Sequence, residues 1–406
     1  MVNIAVLGYG TVGSGVVEVL RTNQKSINNR AGQDINLKYV LDLRDFPGDP
    51  VEDVLVHDYD IILNDEEVDI VVEVMGGINP AYQFVKNALL KGKSVCTSNK
   101  ELVAKHGAEL LEIAKQNNIN FLFEASVGGG IPIIRPLNQS LTADEIIEIS
   151  GILNGTTNFI LTKMCKEGLS FDTVLKEAQD LGYAERNPEA DVEGYDACRK
   201  IAILSSLACG QQVDFEDIYT EGITKVSDVD FKYAKELGVS IKLIGTSKRV
   251  GDGFYAMVSP KMISDEHPLA GVNGVMNAIF VKGNVLGDVM FYGAGAGKLP
   301  TASAVVSDVV DAVKHMGRNI MTIWNTNKME LVNLENVASK FFIRFEGAVN
   351  ADKLEAIEAA FGKGEVIAAP GVHGEFGYLT EEITEKHYAD ATKNFDGIIS
   401  MIRYEK

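Results

Sequence analysis

Basic residues, cysteine, proline and tryptophan are all scarce in this 406-residue chain. Lysine plus arginine number 38 against 57 aspartate plus glutamate, for a formal charge of −19. A chain this acidic lacks the basic patches that nucleic acid or an anionic membrane demands of a partner. A small anionic molecule needs only a local cationic cluster and is not excluded. The four cysteines, Cys96, Cys165, Cys198 and Cys209, are scattered, with no Cys-x-x-Cys pair and no accompanying histidine cluster. A disulfide scaffold and a structural zinc site are thereby excluded, and a reduced, cytoplasmic protein is expected. No run reaches the ~18 uninterrupted apolar residues that a bilayer-spanning helix needs. The opening Met1-Val-Asn-Ile-Ala-Val-Leu-Gly8 has neither a basic lead nor a cleavage site, so it does not read as a signal peptide. What is present is 46% hydrophobic and 23% charged residues, the balance of a globular protein. At ~150 residues per domain, its length predicts two or three domains.

The N-terminal third alternates. Val2–Leu7 is an apolar run that ends in Gly8-Tyr-Gly10-Thr-Val-Gly13, and Val16, Val17, Val19 and Leu20 follow. That order reads as strand, glycine turn and helix. Further β-type runs fall at 37–43, 69–74, 94–97 and 119–123, with helical stretches at 82–90 and 101–117. Alternation of this kind builds a parallel sheet covered by helices on both faces. Gly128-Gly129-Gly130 with Pro132 marks a change of rhythm. Beyond it the pattern predicts a strand at 145–152, helices at 158–166 and 171–181, a polar loop at 184–194 and a helix at 195–209. Strands at 240–247, 254–259, 278–282 and 285–291 complete an α+β second domain, and Gly293-Ala-Gly-Ala-Gly297 then leads into a helix at 301–316. The stretch 338–406 reads strand 341–345, helix 351–361, strands 365–368 and 376–383, helix 386–395 and strand 398–404, a ferredoxin-like βαββαβ order. The expected division is 1–133 with a return segment 298–325, then 134–297, then 338–406.

Short glycine patterns occur by chance, and context gives this one its weight. Gly8-x-Gly10-x-x-Gly13 follows a strand and opens a helix, as in a Rossmann-type dinucleotide-binding domain. The glycines permit a tight turn and let the backbone approach a pyrophosphate at the positive end of the helix. An acidic residue is expected ~20 positions beyond the third glycine. Asp34 lies at that distance but precedes the second strand, whereas the strand's end carries Asp42 and Arg44. Aspartate grips a ribose hydroxyl and favours NAD; arginine pairs with the extra phosphate of NADP. Arg44 makes NADP the expected cofactor, with NAD the alternative.

The densest chemistry lies between Ala178 and Lys200: Ala178-Gln-Asp-Leu-Gly182-Tyr-Ala-Glu185-Arg-Asn-Pro188-Glu-Ala-Asp191-Val-Glu-Gly194-Tyr-Asp196-Ala-Cys-Arg-Lys200. Asp196 and Lys200 are four apart on a helix and share a face. An arbitrary pair at that spacing is a surface ion pair worth little. Glu185 and Asp191, in a glycine-bracketed loop just upstream, change the balance. Several carboxylates beside one lysine can hold an ammonium group while the lysine serves an oxygen. Cys198 has no accompanying histidine and is a poor nucleophile candidate.

The same stretch resembles the signature of the homoserine dehydrogenases. Val72-Glu-Val-Met-Gly-Gly77, Thr97-Ser-Asn-Lys100, Phe123-Glu-Ala-Ser-Val-Gly-Gly-Gly130, Gly151-Ile-Leu-Asn-Gly-Thr-Thr-Asn158 and Gly293-Ala-Gly-Ala-Gly-Lys-Leu-Pro-Thr-Ala-Ser303 extend the resemblance over roughly 330 residues. The resemblance implies NAD(P)-dependent interconversion of L-aspartate 4-semialdehyde and L-homoserine, on the way to threonine and methionine. It implies Lys200 as acid/base at the substrate oxygen, and Glu185 and Asp196 at the substrate's amino acid end with Asp191 nearby. Lys100 lies between nicotinamide and substrate on this reading. Gly8, Gly10, Thr11, Val12, Gly13, Arg44, Ser98, Gly182 and Gly297 complete the cofactor site. A monovalent cation, Na+, is implied at Glu124 with backbone oxygens of Val127, Gly129 and Ile131. The reaction agrees with this cast. Reducing an aldehyde puts negative charge on its oxygen, so a cation able to donate a proton lowers the barrier.

Two other readings compete. A phosphorylating semialdehyde dehydrogenase needs a cysteine nucleophile with a histidine base, and only Cys96 and His106 are near one another in sequence. A non-enzymatic dinucleotide sensor would leave the carboxylate–lysine loop without a purpose. Sheet edges in the second domain and the family resemblance lead us to expect a homodimer. The C-terminal unit resembles an ACT domain, which in this family often mediates threonine inhibition. Gly347-Ala-Val-Asn-Ala-Asp352 has no glycine near the helix start for a close-approach site. Weak or no threonine inhibition is therefore expected, with a structural role for 338–406.

Overall fold

The computed structural model describes residues 1–405, which divide into two compact units. The first comprises 1–146, 202–216 and 283–329, and the second 147–201, 217–282 and the described residues from 330 onward.

In the first unit a parallel sheet runs in the order Leu55–Val56, Ile35–Leu41, Val2–Leu7, Val68–Glu73, Ser94–Thr97, Phe121–Leu122. Chain order reverses between the first strand and Val68–Glu73, and ligands of open α/β sheets bind at such a switch point. The strands are apolar on both faces because helices cover both: Val2–Leu7 is buried at all but one position. Helix Thr11–Thr22 turns Val16, Val17 and Leu20 inward, against Ala302, Val305 and Val309 of helix Lys298–Lys314. Helix Lys100–Gln116 starts where the Asn99 side chain accepts the Leu102 N–H (3.1 Å).

The second unit holds a sheet ordered Met276–Gly283, Ile146–Ile152, Val239–Val250, Gly253–Ser264, Ile398–Glu405, Ala338–Glu346, Glu375–Thr380, Gly364–Ile367. The last four of these strands, with helices Ala351–Phe361 and Glu385–Thr392, have the βαββαβ order expected for 338–406. Their own core is aromatic: Phe341, Phe345, Phe361, Phe376 and Tyr378. Ile398–Glu405 pairs in parallel with Gly253–Ser264, which joins this element set to the rest of the unit's sheet.

Several elements depart from expectation for identifiable reasons. Helix Gln24–Ala31 lies where only a polar insertion was evident, because just Ile27 and Ala31 are buried on it. Helix Asp228–Leu237 was also unforeseen, although Ser227 and Asp230 form a capping box at its start. The strand expected at 285–291 runs Gly287–Ala294 instead, since Val285 and Leu286 turn outward and donate their N–H groups to Asp144. The strand expected at 376–383 breaks after Thr380, and Ile383–Thr384 pairs separately with Ala338 and Ser339. The loop at 184–194 contains one helical turn, Glu189–Val192, initiated by Pro188.

Candidate active site

The glycine turn builds a cradle at the switch point of the first unit. Gly8 has φ +98°, a conformation that penalises any Cβ. A Cβ on Gly13 would collide with the Gly8 carbonyl oxygen, so only glycine lets helix Thr11–Thr22 approach the turn this closely. Gly10 is different: a Cβ there would meet nothing within 4 Å, which leaves open space over the turn. Thr11 and Val12 open the helix, and no side chain caps its N-terminus. The space continues into a cavity of about 490 Å³ lined by Gly8, Gly10, Asp42, Arg44, Val74 and Met75, among others. An uncapped helix N-terminus above an unfilled glycine turn fits a pyrophosphate.

Asp42 and Arg44 stand together on that cavity's rim, and Asp34 does not. The carbonyl of Asp34 accepts the Val2 N–H (2.8 Å) at the opposite end of the second strand. Arg44 donates from Nε to Asp42 Oδ1 and from Nη2 to Asp42 Oδ2, both at 3.0 Å. The Tyr9 N–H takes the same Oδ2 (2.8 Å). The Arg44 side chain, aided by the Arg44 and Tyr9 backbone N–H groups, holds the Asp42 carboxyl well below the usual carboxylate range. Its oxygens are committed, while the guanidinium remains largely exposed.

Two buried carboxylates brace neighbouring loops. Glu73, at the end of its strand, is fully buried and accepts from Met75 N (2.8 Å), Gly76 N (3.3 Å) and Thr97 Oγ1 (2.6 Å). Burial raises its pKa. It thereby shapes the Val74–Gly77 turn, and its carbonyl accepts the Ser98 N–H (3.3 Å). Lys100 follows as the first residue of helix Lys100–Gln116. Glu124 is buried and accepts from the N–H groups of Ile133 (2.6 Å), Ile134 (2.8 Å) and Arg135 (2.8 Å). Its side chain is thus occupied in holding a helix start. Gly130 N–H donates to Ala294 O (3.1 Å), so this glycine stretch lies against the segment leading to Gly297, the N-cap of helix Lys298–Lys314.

In the second unit, strand Ile146–Ile152 delivers Leu153 and Asn154, and helix Tyr195–Cys209 delivers Asp196 and Lys200. The Asp196–Lys200 pair is not on the surface: the residues are 4% and 8% exposed. Lys200 Nζ donates to Asp196 Oδ2 (2.7 Å) and to Leu153 O (2.7 Å). Asn154 Nδ2 donates to both Asp191 Oδ1 (2.7 Å) and Asp196 Oδ2 (2.9 Å), and its Oδ1 caps helix Gly155–Glu167 through Thr157 N (2.8 Å). Asn154 is the residue that sequence reasoning missed. Its cap position before Gly155-Thr-Thr was readable, but its two aspartate partners, 37 and 42 residues away, were not. Glu185 is exposed on the loop, where its carbonyl accepts from Gln179 Nε2 (3.1 Å). Gly182 follows helix Phe171–Asp180, and its N–H returns to Gln179 O (3.0 Å). The structure therefore brings together Asp191, Asp196 and Lys200, with Glu185 and Gly182 on the loop that leads to them.

Cysteine chemistry finds no support in this geometry. Cys96 is fully buried, and burial pushes its thiol well above the ordinary range. His106 stacks on Tyr82 at 4.0 Å and faces Glu109, and burial lowers its pKa. Among the described residues no group of three or more His, Cys, Asp or Glu side chains could hold a metal ion. No described helix is long and apolar enough to cross a membrane.

Comparison with known proteins gives one consistent result. Residues 8–124 match the family model "Homoserine dehydrogenase, NAD binding domain", and residues 132–310 match "Homoserine dehydrogenase". The chain is 46% identical over 320 residues to the homoserine dehydrogenase of Bacillus subtilis (strain 168), covering 78% of this chain and 73% of that protein. The crystal structure of a homoserine dehydrogenase from Thiobacillus denitrificans superposes with a TM-score of 0.91 at 37% identity, over 100% of this chain and 98% of that one. A hyperthermophilic archaeal homoserine dehydrogenase in complex with NADPH superposes with a TM-score of 0.66 at 31% identity, over 77% of this chain and 97% of that one.

Proposed function

The chain belongs to the homoserine dehydrogenase family, and on that premise we propose how its residues interconvert L-aspartate 4-semialdehyde and L-homoserine. The observation that carries the reading is the buried Asp196–Lys200 pair tied through Asn154 to Asp191. A nicotinamide dinucleotide, when bound, supplies or takes the hydride at the substrate's C4 carbon. Lys200 does the proton chemistry at the attached oxygen: as an ammonium it donates to the developing alkoxide, and in reverse it must be neutral to accept the alcohol's proton. Leu153 O and Asp196 Oδ2 fix the direction of its Nζ, so proton transfer needs little rearrangement. Asp196, Asp191 and Glu185 bind the substrate's amino acid end, and Asn154 holds the two aspartates at one spacing. Lys100 stands between nicotinamide and substrate, with Gly182 and Gly297 approaching the cofactor. Functionally the chain divides into 1–133 with 298–325, 134–297, and an ACT-like 338–406.

NADP is the preferred cofactor on this reading. Asp42 is too committed to Arg44 and Tyr9 N–H to grip ribose hydroxyls, whereas the exposed Arg44 guanidinium can pair with a 2′-phosphate. The archaeal relative's NADPH complex supports the same choice. Arg44→Ala should raise KM for NADPH by about tenfold or more, with little change for NADH. An unchanged NADPH/NADH preference would make the arginine a bystander. Na+ would lie at Glu124 with the backbone oxygens of Val127, Gly129 and Ile131. The exposed apolar residues Val285, Leu286, Met290 and Tyr292 support an enzyme that works as a homodimer. A monomer on sedimentation, or activity indifferent to Na+, would remove these last two assignments. The assay that tests the whole reading is NADPH with aspartate semialdehyde in phosphate-free buffer. Consumption of both with formation of homoserine is the expected result; no reaction with NADPH, and oxidation of the semialdehyde only when NADP+ and phosphate are supplied, would refute it.

A further inference from the structure

A short segment connects the C-terminal strands to the substrate turn within the second unit. Tyr219–Thr220 adds in parallel to Gly253–Ser264, and Glu221 N–H donates to Val258 O (2.8 Å). On its outer side Glu221 Oε2 accepts from Arg403 Nη1 (2.8 Å). Arg403 lies on Ile398–Glu405, is 3% exposed, and forms a two-pronged pair with Glu385 at 2.6 and 2.9 Å. Its guanidinium also covers the Tyr219 ring at 5.0 Å. On its inner side the segment presses on the turn that carries Asp191. Ile223 N–H donates to Val192 O (2.8 Å), and a Cβ on Gly222 would collide with that same oxygen. Gly194 sits against Thr220 and Val258 on the other flank of the turn.

We infer that Glu221 is a positioning residue: anchored by Arg403, it holds the 219–223 segment against Val192 and so sets the place of Asp191 in the substrate site. The C-terminal strand acts on the reaction through a chain of contacts, Arg403 to Glu221 to Val192 to Asp191. None of the first three residues needs to touch substrate. The inference rests on Asp191 being part of the substrate site, as proposed above. A segment fixed at both faces transmits displacement, because packed backbone has no slack to absorb it.

Steady-state kinetics on three variants separates the possibilities. Asp191→Ala should raise KM for homoserine, and if it does not, the reading of the site fails before the inference is reached. Given that result, Glu221→Gln and Gly222→Ala disturb the segment from opposite sides. Each should raise KM for homoserine about three- to tenfold, the range for residues that modulate a site without contacting its ligand. The KM for NADPH should stay within about twofold, because the segment belongs to the substrate turn alone. A purely structural role would lower the melting temperature and leave the homoserine KM unchanged, and that outcome in either folded variant overturns the inference. Should neither variant fold, hydrogen exchange on the wild-type enzyme with NADPH decides. Adding homoserine should slow exchange at both 189–194 and 219–223, and protection confined to the first stretch would refute the link.

Discussion

At the scale of single residues, Lys200 separates a reaction centre from an ion pair. Losing an exposed Asp–Lys pair changes stability by at most about 1 kcal/mol and leaves turnover intact. Lys200 is buried, so Lys200→Ala should lower kcat by roughly 10²–10⁴-fold while NADPH still binds. Asp196→Ala should mainly raise KM for homoserine, since a grip on the amino group exists before and after hydride transfer. A folded Lys200→Ala enzyme retaining more than about a tenth of wild-type kcat would be incompatible with proton transfer by this lysine, and Lys100 would be examined next. Glu73 makes a second residue-scale prediction. Its folded pKa is raised by burial above the unfolded value of 4.5. Its contribution to stability is therefore fully present below about pH 4.5 and is lost as pH rises through the folded pKa. Glu73→Gln keeps the shape without the charge, so its melting temperature relative to wild type should climb as pH rises above about 4.5. A pH-independent difference would mean the hydrogen bonds, not the desolvated charge, dominate. The pairing of Lys200 with Asp196 was legible in the sequence from helical spacing, and its importance from the neighbouring carboxylates and the family resemblance. Asn154 and Glu73 were not, because their partners arrive from distant strands and turns.

At the scale of elements, the glycine turn performs two tasks that two substitutions can separate. Gly13 exists for packing: a Cβ would strike Gly8 O, so Gly13→Ala must push helix Thr11–Thr22 away from its strand. Gly10 exists for the ligand: its φ of −84° suits any residue, and a Cβ would enter open space. Gly13→Ala should therefore lower the melting temperature and raise KM for NADPH together. Gly10→Ala should leave the melting temperature within a degree or two and still raise KM, because the methyl occupies the path of the pyrophosphate. Equal melting losses in both variants would show that the open space at Gly10 is not a phosphate seat. The strand–turn–helix run was readable from sequence because apolar period and glycine position agree there. Helix Gln24–Ala31 was not, since an element that buries two side chains leaves almost no period to read. The single turn Glu189–Val192 is likewise too short to carry one, although it holds Asp191.

At the scale of the whole molecule, the question is what residues 338–406 contribute. The βαββαβ order was visible in the sequence, but its attachment was not, because strand pairing between 261–263 and 403–405 has no local signature. That attachment is charged and buried. Arg344, 4% exposed, bonds Asp230 (2.9 Å), Ser227 (2.8 Å) and Glu375 (2.6 Å), and Asp230 is fully buried. Lys261, 1% exposed, bonds Glu405 (2.6 Å) and Thr246 (2.9 Å). Cutting the chain after Val337 would take Arg344 from Asp230 and Glu405 from Lys261 and open both sites to water. It would also bare one edge of Gly253–Ser264. Truncated protein should therefore aggregate or melt far below the full chain, even though no residue proposed for proton transfer has been removed. The same attachment bears on regulation. The turn 347–352 offers no glycine at the helix start, and Asn350 Oδ1 already caps that helix through Lys353 N (2.9 Å). An amino acid effector would have to displace that cap to reach the helix N-terminus. Initial rates across a threonine titration should accordingly show little or no inhibition, at any homoserine concentration. Strong inhibition that vanishes in a folded, truncated enzyme would overturn both halves of this argument at once, since it would require a regulatory site here and a catalytic body that stands without it.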